Sequence, residues 1–170
     1  VDTGLAVRQW DAYVSALEAA GWEAIEVPES PTHPDSVFVE DTVVMVRDTA
    51  ILTSPGAPSR RGEPDAAAAT LRDLGYDVKP MTGPGTLDGG DVLKVGSTIY
   101  VGLSSRTDAA GIEEFRSLAA PLGFTVTTVP VTRVLHLKSA VTALPDGTVI
   151  GHPDLIDSVD LFPHFRPMPE

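Results

Sequence analysis

The chain has 170 residues, of which 42% are hydrophobic, and its 12 lysines and arginines against 24 aspartates and glutamates give a formal net charge of −12. This composition excludes a disordered chain, and the negative charge disfavours nucleic acid and anionic lipid as partners. No apolar run approaches the ~18 residues that span a bilayer. We therefore expect a soluble globular protein that binds neither nucleic acid nor membrane.

Cysteine is absent from the 170 residues. Within this sequence, its absence excludes disulfides, thiolate metal sites and a cysteine nucleophile. No basic segment followed by an apolar stretch opens the chain, so we expect no secretory signal and a cytoplasmic location.

The first predicted element is a helix over residues 7–20, because its apolar residues recur on one face of a 3.6-residue repeat. These residues are Trp10, Tyr13, Val14 and Leu17. Gly21 ends the helix. Residues 23–27 alternate polar and apolar side chains, which predicts a half-buried strand, and the prolines of residues 28–34 predict a turn-rich connection.

Three later stretches share one pattern: a polar segment, a β-rich run, a tight turn and a second β-rich run. This pattern is typical of a β-hairpin. The predicted turns are Arg47-Asp48, Gly96-Ser97 and Asp146-Gly147. Their alignment indicates a repeat with a period of about 50 residues, in which Asp41, Asp91 and Ser139 occupy equivalent positions.

A helical pattern follows each hairpin. The first begins at Pro64, the second follows a Thr107 cap, and the third carries Leu155, Val159 and Phe162. Strands over residues 77–81 and 125–131 complete two ββαβ units. Such units stack around an axis, because none can bury its apolar face alone. We predict a single domain over residues 1–170 with units at 7–27 (partial), 37–81, 87–131 and 135–170 (partial).

Polar residues gather at the start of each hairpin. They are Asp35, Glu40 and Asp41 in the first, Asp88 and Asp91 in the second, and His136, Lys138 and Ser139 in the third. Radial stacking would bring these segments to a common centre, where carboxylates around a histidine suit cation binding and acid–base chemistry. The alternative is that each acid only makes the hydrogen bonds of a turn.

Two local motifs strengthen the functional interpretation. Residues 38–41 (FVED) predict a strand whose adjacent acids point to opposite faces, so that one of them faces inward. The two glycines of residues 87–91 (LDGGD) leave room for a ligand. His136 is predicted on a strand, where a lone histidine is more often structural, but its alignment with the two acidic sites supports a functional role equally. Without HxH or HxxxH spacing, the sequence predicts no zinc site.

Arginines occupy matching loops of two units. Arg60 lies in a Pro/Gly-rich loop after the first hairpin, and Arg106 lies at the equivalent place after the second. Together they could hold one carboxylate by bidentate hydrogen bonds, or they could be solvated loop charges. With the acids, they favour a zwitterionic substrate.

Five motifs in this order resemble the dimethylarginine dimethylaminohydrolase family of the guanidine-modifying enzymes. They are FVEDT, PGAPSRRGE, TLDGGDVL, VGLSSRT and LHLKS. The resemblance implies an α/β fold, the pentein-type α/β propeller of five ββαβ units, of which roughly three are present here. It also implies cofactor-free hydrolysis of methylated arginine to citrulline and a methylamine, through a covalent cysteine adduct.

The resemblance also assigns roles to residues. It makes His136 the acid–base group and Asp88 the carboxylate that orients or charges it. It makes Asp35, Glu40 and Asp41 the acids that hold the substrate, Phe38 a wall beside the guanidinium, and Arg60 and Arg106 the clamp on the α-carboxylate. The implied partner is a small cationic amino acid, and a homodimer is the assembly to test.

The sequence departs from the family pattern in two places. The family's nucleophilic cysteine, near its C-terminus, and its N-terminal lid have no counterpart in these 170 residues. We therefore expect an incomplete chain that does not catalyse the reaction by itself. Three alternatives stay open: a non-catalytic module that binds arginine-like ligands, an arginine deiminase-like hydrolase, and metal-dependent hydrolysis.

Overall fold

Three small β-sheets follow one another along the chain in the computed structural model, which describes residues 2–168. In each sheet, two antiparallel strands form a hairpin, and the third strand pairs in parallel with the second. The strands are β1 (Val43–Val46), β2 (Thr49–Leu52), β3 (Asp77–Pro80), β4 (Val92–Val95), β5 (Thr98–Leu103), β6 (Thr125–Pro130), β7 (Val141–Ala143), β8 (Val149–Gly151) and β9 (Phe165–Pro167). The helices are α1 (Thr3–Ala19), α2 (Pro64–Asp73) and α3 (Ala109–Ala119).

The predicted ββαβ order is confirmed in the first two sheets, because α2 connects β2 with β3 and α3 connects β5 with β6. Each sheet lies within one of the predicted units. The exact unit boundaries within a single domain stay a prediction.

The first two hairpins close through two-residue turns at the predicted positions, Arg47-Asp48 and Gly96-Ser97. The first residue of each turn has a left-handed backbone, with φ of 56° at Arg47 and 57° at Gly96. Short hairpins favour this conformation because it matches the twist of the strands. Glycine adopts it freely, whereas Arg47 holds it against a steric penalty on its Cβ. The hairpin therefore imposes the turn on both residue types.

The start of α2 is confirmed, since the helix begins at Pro64. The predicted cap of α3 is wrong. Asp108 caps this helix, because its side chain accepts a hydrogen bond from the Gly111 backbone N–H at 2.8 Å. Thr107 instead directs its hydroxyl to the Asp91 carboxylate, at 2.7 Å. The residue that sequence reasoning assigned to a helix end belongs to the polar centre of the molecule.

The helix predicted near Phe162 is wrong. Two 3₁₀ turns, Pro153–Leu155 and Val159–Leu161, connect β8 with β9 instead. Residues 152–164 separate these strands, a shorter connection than residues 53–76 between β2 and β3 or residues 104–124 between β5 and β6. The apolar side chain still covers the sheet, because the Phe162 ring packs 4.8 Å from that of Tyr100, centroid to centroid.

The predicted first helix forms, but its apolar face is not covered. No residue of α1 is buried, and Trp10 and Tyr13 are 57% and 59% exposed. The strand predicted over residues 23–27 is wrong, since these residues have no regular structure. Alternating polar and apolar residues give a segment an apolar face, but a strand also needs a partner strand. Within residues 2–168, no strand pairs with residues 23–27. None of the helices in that range is long and apolar enough to cross a membrane.

Strand β5 is shared by two hydrophobic clusters. Ile99 and Val101 point into the first, which also contains Phe115 of α3. Tyr100 points into the second, beside Val149 of β8. Successive strand residues face opposite sides of a sheet, so one strand forms a wall of both clusters. This shared wall fixes the second sheet against its neighbours on both sides.

Two helical glycines provide a matched test of how α3 is seated. A Cβ at Gly111 would collide with the backbone oxygen of Thr86, whereas a Cβ at Gly4 of α1 would meet its nearest atoms at 3.4 Å. We expect Gly111→Ala to lower the free energy of unfolding by about 1–3 kcal/mol through overpacking. Gly4→Ala should raise it by about 0.5–1 kcal/mol. Urea denaturation measures both, and a neutral or stabilising Gly111→Ala would contradict this packing.

Candidate active site

Three short 3₁₀ turns meet at the centre of the polar cluster, and each leads into the first strand of a sheet. They span Val39–Asp41, Gly89–Asp91 and Leu137–Ser139. The predicted strand over residues 38–41 is therefore wrong. The predicted strand at His136 is wrong too, since this residue precedes its turn in an extended conformation. The ladder hydrogen bonds of each sheet begin only after the polar residues, which leaves these free to form turns.

The two glycines of the LDGGD motif allow the turns to approach each other. A Cβ at Gly89 would collide with the backbone oxygen of Glu40. A Cβ at Gly90 would lie 2.7 Å from Asp41 Oδ1 and 2.9 Å from the His136 ring. Any larger residue would push the carboxylate and the imidazole apart. The motif therefore serves the assembly of the site itself.

His136 lies among three carboxylates, with its side chain 12% exposed. Its Nδ1 is 3.3 Å from Asp91 Oδ2, and its Nε2 is 3.9 Å from Asp41 Oδ1 and 4.0 Å from Asp88 Oδ2. The hydrogen bond to Asp91, followed by the charges of all three acids, raises the pKa of His136 against the opposing effect of burial. The ring is therefore more readily protonated than an ordinary histidine.

The carboxylate that contacts Nδ1 of His136 is Asp91, and this contact was not predicted. The resemblance made Asp88 the carboxylate that orients or charges the histidine, and in the structure Asp88 Oδ2 lies 4.0 Å from Nε2. A signal for the contact was available in the repeat, because Asp91 aligns with Asp41. The role of Asp88 toward the histidine stays a prediction.

Asp88 is a buried carboxylate with one satisfied oxygen. Its Oδ1 accepts a hydrogen bond from the Gly56 backbone N–H at 2.8 Å. Its Oδ2 has no hydrogen-bond partner among residues 2–168, and the nearest arginine atom, Arg106 Nη1, is 3.7 Å away. Burial raises the pKa of Asp88, because the charged form loses its hydration. A free carboxylate oxygen of this kind suits a cationic ligand that donates hydrogen bonds.

Asp41 is already paired with a buried arginine. Arg60 Nη1 lies 2.7 Å from Asp41 Oδ2, and Arg60 Nη2 lies 2.7 Å from Glu63 Oε2. The other oxygen of Asp41 accepts a hydrogen bond from the Gly90 N–H at 2.9 Å. The Arg60 guanidinium is thus held by two internal carboxylates. The predicted clamp role of Arg60 stays a prediction, and this pairing does not favour it.

The remaining predicted site residues do not contact His136. Asp35 is exposed and offers its backbone oxygen to Arg60 Nη2 at 3.2 Å. Phe38 is 57% exposed, with its ring 5.9 Å from the Arg60 guanidinium carbon. Glu40 forms an ion pair with Lys138 at 2.7 Å. Their predicted roles toward a substrate stay predictions.

Besides a cationic ligand, the side chains around His136 could also hold a metal ion. One donor atom from each of Asp41, Asp88 and His136 lies within 4.8 Å of the others. Asp41 Oδ2, however, is already paired with Arg60, whose charge is shared with Glu63. A metal ion needs several ligands that have no other partner. A planar guanidinium instead donates several N–H groups, one of which can go to the free oxygen of Asp88. The three side chains therefore fit a guanidinium better than a metal ion.

Solved structures with the same architecture define the class. The structure of dimethylarginine dimethylaminohydrolase from Pseudomonas aeruginosa, a cysteine-to-serine mutant complexed with citrulline, superposes with a TM-score of 0.89 at 32% identity over 99% of this chain and 67% of that chain. The N-terminal domain of ArgZ, an arginine dihydrolase from cyanobacteria, gives a TM-score of 0.84 at 19% identity over 98% of this chain and 65% of that chain, a likeness of fold alone. The chain therefore has the pentein fold, an α/β propeller.

Sequence comparison identifies the family within this class. The family described as N,N dimethylarginine dimethylhydrolase, eukaryotic, matches residues 2–153. The N(G),N(G)-dimethylarginine dimethylaminohydrolase of Streptomyces coelicolor is 59% identical over all 170 residues, which span 66% of that relative. The Pseudomonas aeruginosa enzyme is 35% identical over 151 residues, 88% of this chain and 59% of that relative. The chain belongs to the dimethylarginine dimethylaminohydrolase family.

Because one buried oxygen of Asp88 has no hydrogen-bond partner, we expect this residue to lower the free energy of unfolding. We expect Asp88→Asn to raise the free energy of unfolding by about 1 kcal/mol, because an amide retains the Gly56 hydrogen bond and removes a buried charge. The raised pKa of Asp88 means that the folded state binds the proton more tightly, so the wild-type chain loses stability as pH rises through that pKa, and the gain from Asn grows over the same range. Thermal denaturation across pH measures it.

The control for this variant is Asp77→Asn, which removes the same charge from a side chain that is 59% exposed. Its effect should stay within about 0.5 kcal/mol. A loss of stability in Asp88→Asn relative to the wild-type chain would contradict the description of Asp88 as a buried carboxylate with one oxygen that lacks a hydrogen-bond partner.

Proposed function

We propose that the protein containing this chain hydrolyses asymmetric dimethylarginine to citrulline and dimethylamine. The observation that carries the proposal is the free, buried oxygen of Asp88 beside Nε2 of His136. This pair offers an acceptor for a guanidinium N–H and an acid–base group within the same small space. The names of the relatives and the citrulline complex of the Pseudomonas aeruginosa enzyme support the same substrate class.

Binding of the guanidinium follows from charge and geometry. Asp88 Oδ2 accepts an N–H of the substrate, and that charge-assisted hydrogen bond replaces the hydration that the carboxylate lost on burial. The bound cation lowers the electrostatic cost that raises the pKa of Asp88. Substrate binding and stabilisation of the site are therefore one event.

His136 supplies the proton chemistry. A thiolate adds to the guanidinium carbon and forms a C–S bond, and the C–N bond to dimethylamine breaks as protonated Nε2 of His136 gives its proton to the leaving nitrogen. Neutral Nε2 then takes a proton from water, whose oxygen attacks the same carbon. The C–S bond breaks with its electron pair on sulfur, the remaining proton of the added hydroxyl passes to solvent as the C=O bond forms, and citrulline leaves.

The nucleophile of this reaction is not among these 170 residues. The 170 residues contain no cysteine, and they span 66% of the Streptomyces coelicolor relative and 59% of the Pseudomonas aeruginosa relative. The thiolate of the proposed reaction must therefore come from outside these 170 residues. The absence of cysteine also favours a second candidate function, a non-catalytic module that binds arginine-like cations.

The α-carboxylate end of the substrate requires a cationic partner. Arg106 is the better candidate, because its side chain is 29% exposed and its nearest carboxylate atom is 3.7 Å away. Arg60 is enclosed by Asp41 and Glu63, so its contribution is to keep Asp41 in place. Asp35, Phe38 and Glu40 remain candidate substrate contacts on the exposed side. A cytoplasmic location and a homodimer also remain proposals that rest on the family resemblance, for cell fractionation and light scattering to test.

The first test is turnover. The protein expressed from its complete open reading frame should release citrulline and dimethylamine from asymmetric dimethylarginine. If it releases neither but binds the compound in calorimetry, the binding module is the correct function. If unmethylated arginine turns over faster than its dimethylated form, the arginine deiminase-like alternative is correct. Undiminished turnover in a chelator excludes the metal-dependent alternative.

A pair of histidine variants tests the acid–base role. His136→Gln should reduce kcat by about 10²–10⁴-fold, since general acid–base groups contribute that much. His152→Gln makes the same chemical change at an exposed residue and should leave kcat unchanged. A His136→Gln enzyme within about tenfold of wild type would remove this histidine from the mechanism.

A third pair separates binding from chemistry. Arg106→Ala should raise KM with little change in kcat, as expected when a contact present in both ground and transition states is lost. Arg133→Ala is the control. Arg133 contacts the backbone oxygen of Asp154 and the carboxylate of Asp157, so its loss should not change KM. A fall in kcat at constant KM in Arg106→Ala would contradict the clamp.

A further inference from the structure

Asp91 is the most heavily hydrogen-bonded carboxylate of the site, and it is fully buried. Its Oδ1 accepts the Leu137 backbone N–H at 2.9 Å. Its Oδ2 accepts the hydroxyls of Ser104 and Thr107, each at 2.7 Å, and lies 3.3 Å from His136 Nδ1. With four donors around it, this carboxylate acts as an acceptor in every contact.

The two hydroxyls have no freedom to reverse their direction. Ser104 Oγ already accepts the backbone N–H groups of Arg106 and Thr107, at 3.0 and 3.2 Å. Thr107 Oγ1 already accepts the Asp88 N–H at 3.1 Å. Each hydroxyl proton must therefore point at Asp91. In the contact between His136 Nδ1 and Asp91 Oδ2, the proton must then belong to Nδ1. Nε2 is therefore the nitrogen that exchanges a proton at the site.

Through the same hydroxyls, Asp91 reaches the other functional residues. Ser104 holds the backbone of Arg106, and Thr107 holds the backbone of Asp88. Gly102 leaves the space that the carboxylate occupies, because a Cβ there would lie 2.8 Å from Asp91 Oδ1. One buried charge thus connects the histidine, the free carboxylate and the arginine loop.

We propose that Asp91 is the positioning residue of this site, which fixes the Nδ1–H tautomer of His136 and, through Ser104 and Thr107, the places of Asp88 and Arg106. Its importance for turnover rests on the proposed function, whereas its control of the histidine does not. Asp91 touches no reacting atom in this assignment. It acts through the residues that do.

The test is Asp91→Asn in the full-length protein, with ¹⁵N-histidine NMR as the readout. An amide cannot accept from both hydroxyls and the ring, so we expect neutral His136 to shift to the Nε2–H tautomer and its pKa to fall. Asp157→Asn is the matched control, because Asp157 also accepts a threonine hydroxyl and a backbone N–H, from Thr132, and forms no hydrogen bond or ion pair with His136 among residues 2–168. It should leave both properties unchanged. A folded Asp91→Asn protein that keeps the Nδ1–H tautomer would overturn the proposal.

A milder variant covers the case in which Asp91→Asn does not fold. Ser104→Ala removes one donor that competes with His136 for Oδ2 but keeps the charge. The ring should retain the Nδ1–H tautomer while the pKa of His136 rises. A pKa that falls or does not change would overturn the proposal.

Kinetics then separate this proposal from the proposed function. In a wild-type enzyme that turns over dimethylarginine, Asp91→Asn should lower kcat by about 100-fold or more. A wild-type protein without turnover would refute the hydrolase assignment while the NMR result still decides the role of Asp91. Retention of full kcat together with a changed tautomer would refute the catalytic importance of the position.

Discussion

The structure depends on the close approach of the turn before β4 to its two neighbours. Gly89 and Gly90 present no side chain at this contact, so the backbone of one turn lies against Glu40 and its flank lies against the His136 ring. A site made from three sheets can reach atomic precision only if such contacts are made by rigid backbone rather than by mobile side chains. The sheets supply that rigidity, because each turn is continuous with a strand buried in the core.

The three aspartates around His136 differ in their partners, and these differences give them different roles. Asp41 is paired with Arg60, Asp91 accepts four hydrogen bonds, and Asp88 keeps one oxygen without a hydrogen-bond partner among residues 2–168. Two are therefore part of the framework, and the third is held ready for a ligand. Functional sites often contain one group whose environment is unfavourable until the ligand arrives, because the framework around it tolerates that cost.

Much of this fold follows from sequence pattern, since hairpin turns, apolar spacing and helix-ending glycines are local signals. The errors share a cause. The strand over residues 23–27 lacked a partner, and residues 38–41 alternate like a strand but precede the ladder. Asp91 was noticed only as a polar residue at a repeat position. Its role depends on Ser104 and Thr107, which come together with His136 only in three dimensions.

Strand β5 has a consequence for how the molecule unfolds. Repeat proteins often lose structure one unit at a time, since each unit contacts only its neighbours. Here alternate residues of a single strand belong to two hydrophobic clusters, so detaching either neighbour exposes one face of β5 and weakens the other cluster. We therefore expect the three sheets to open together in backbone amide exchange, with β5 the last strand to release its hydrogens.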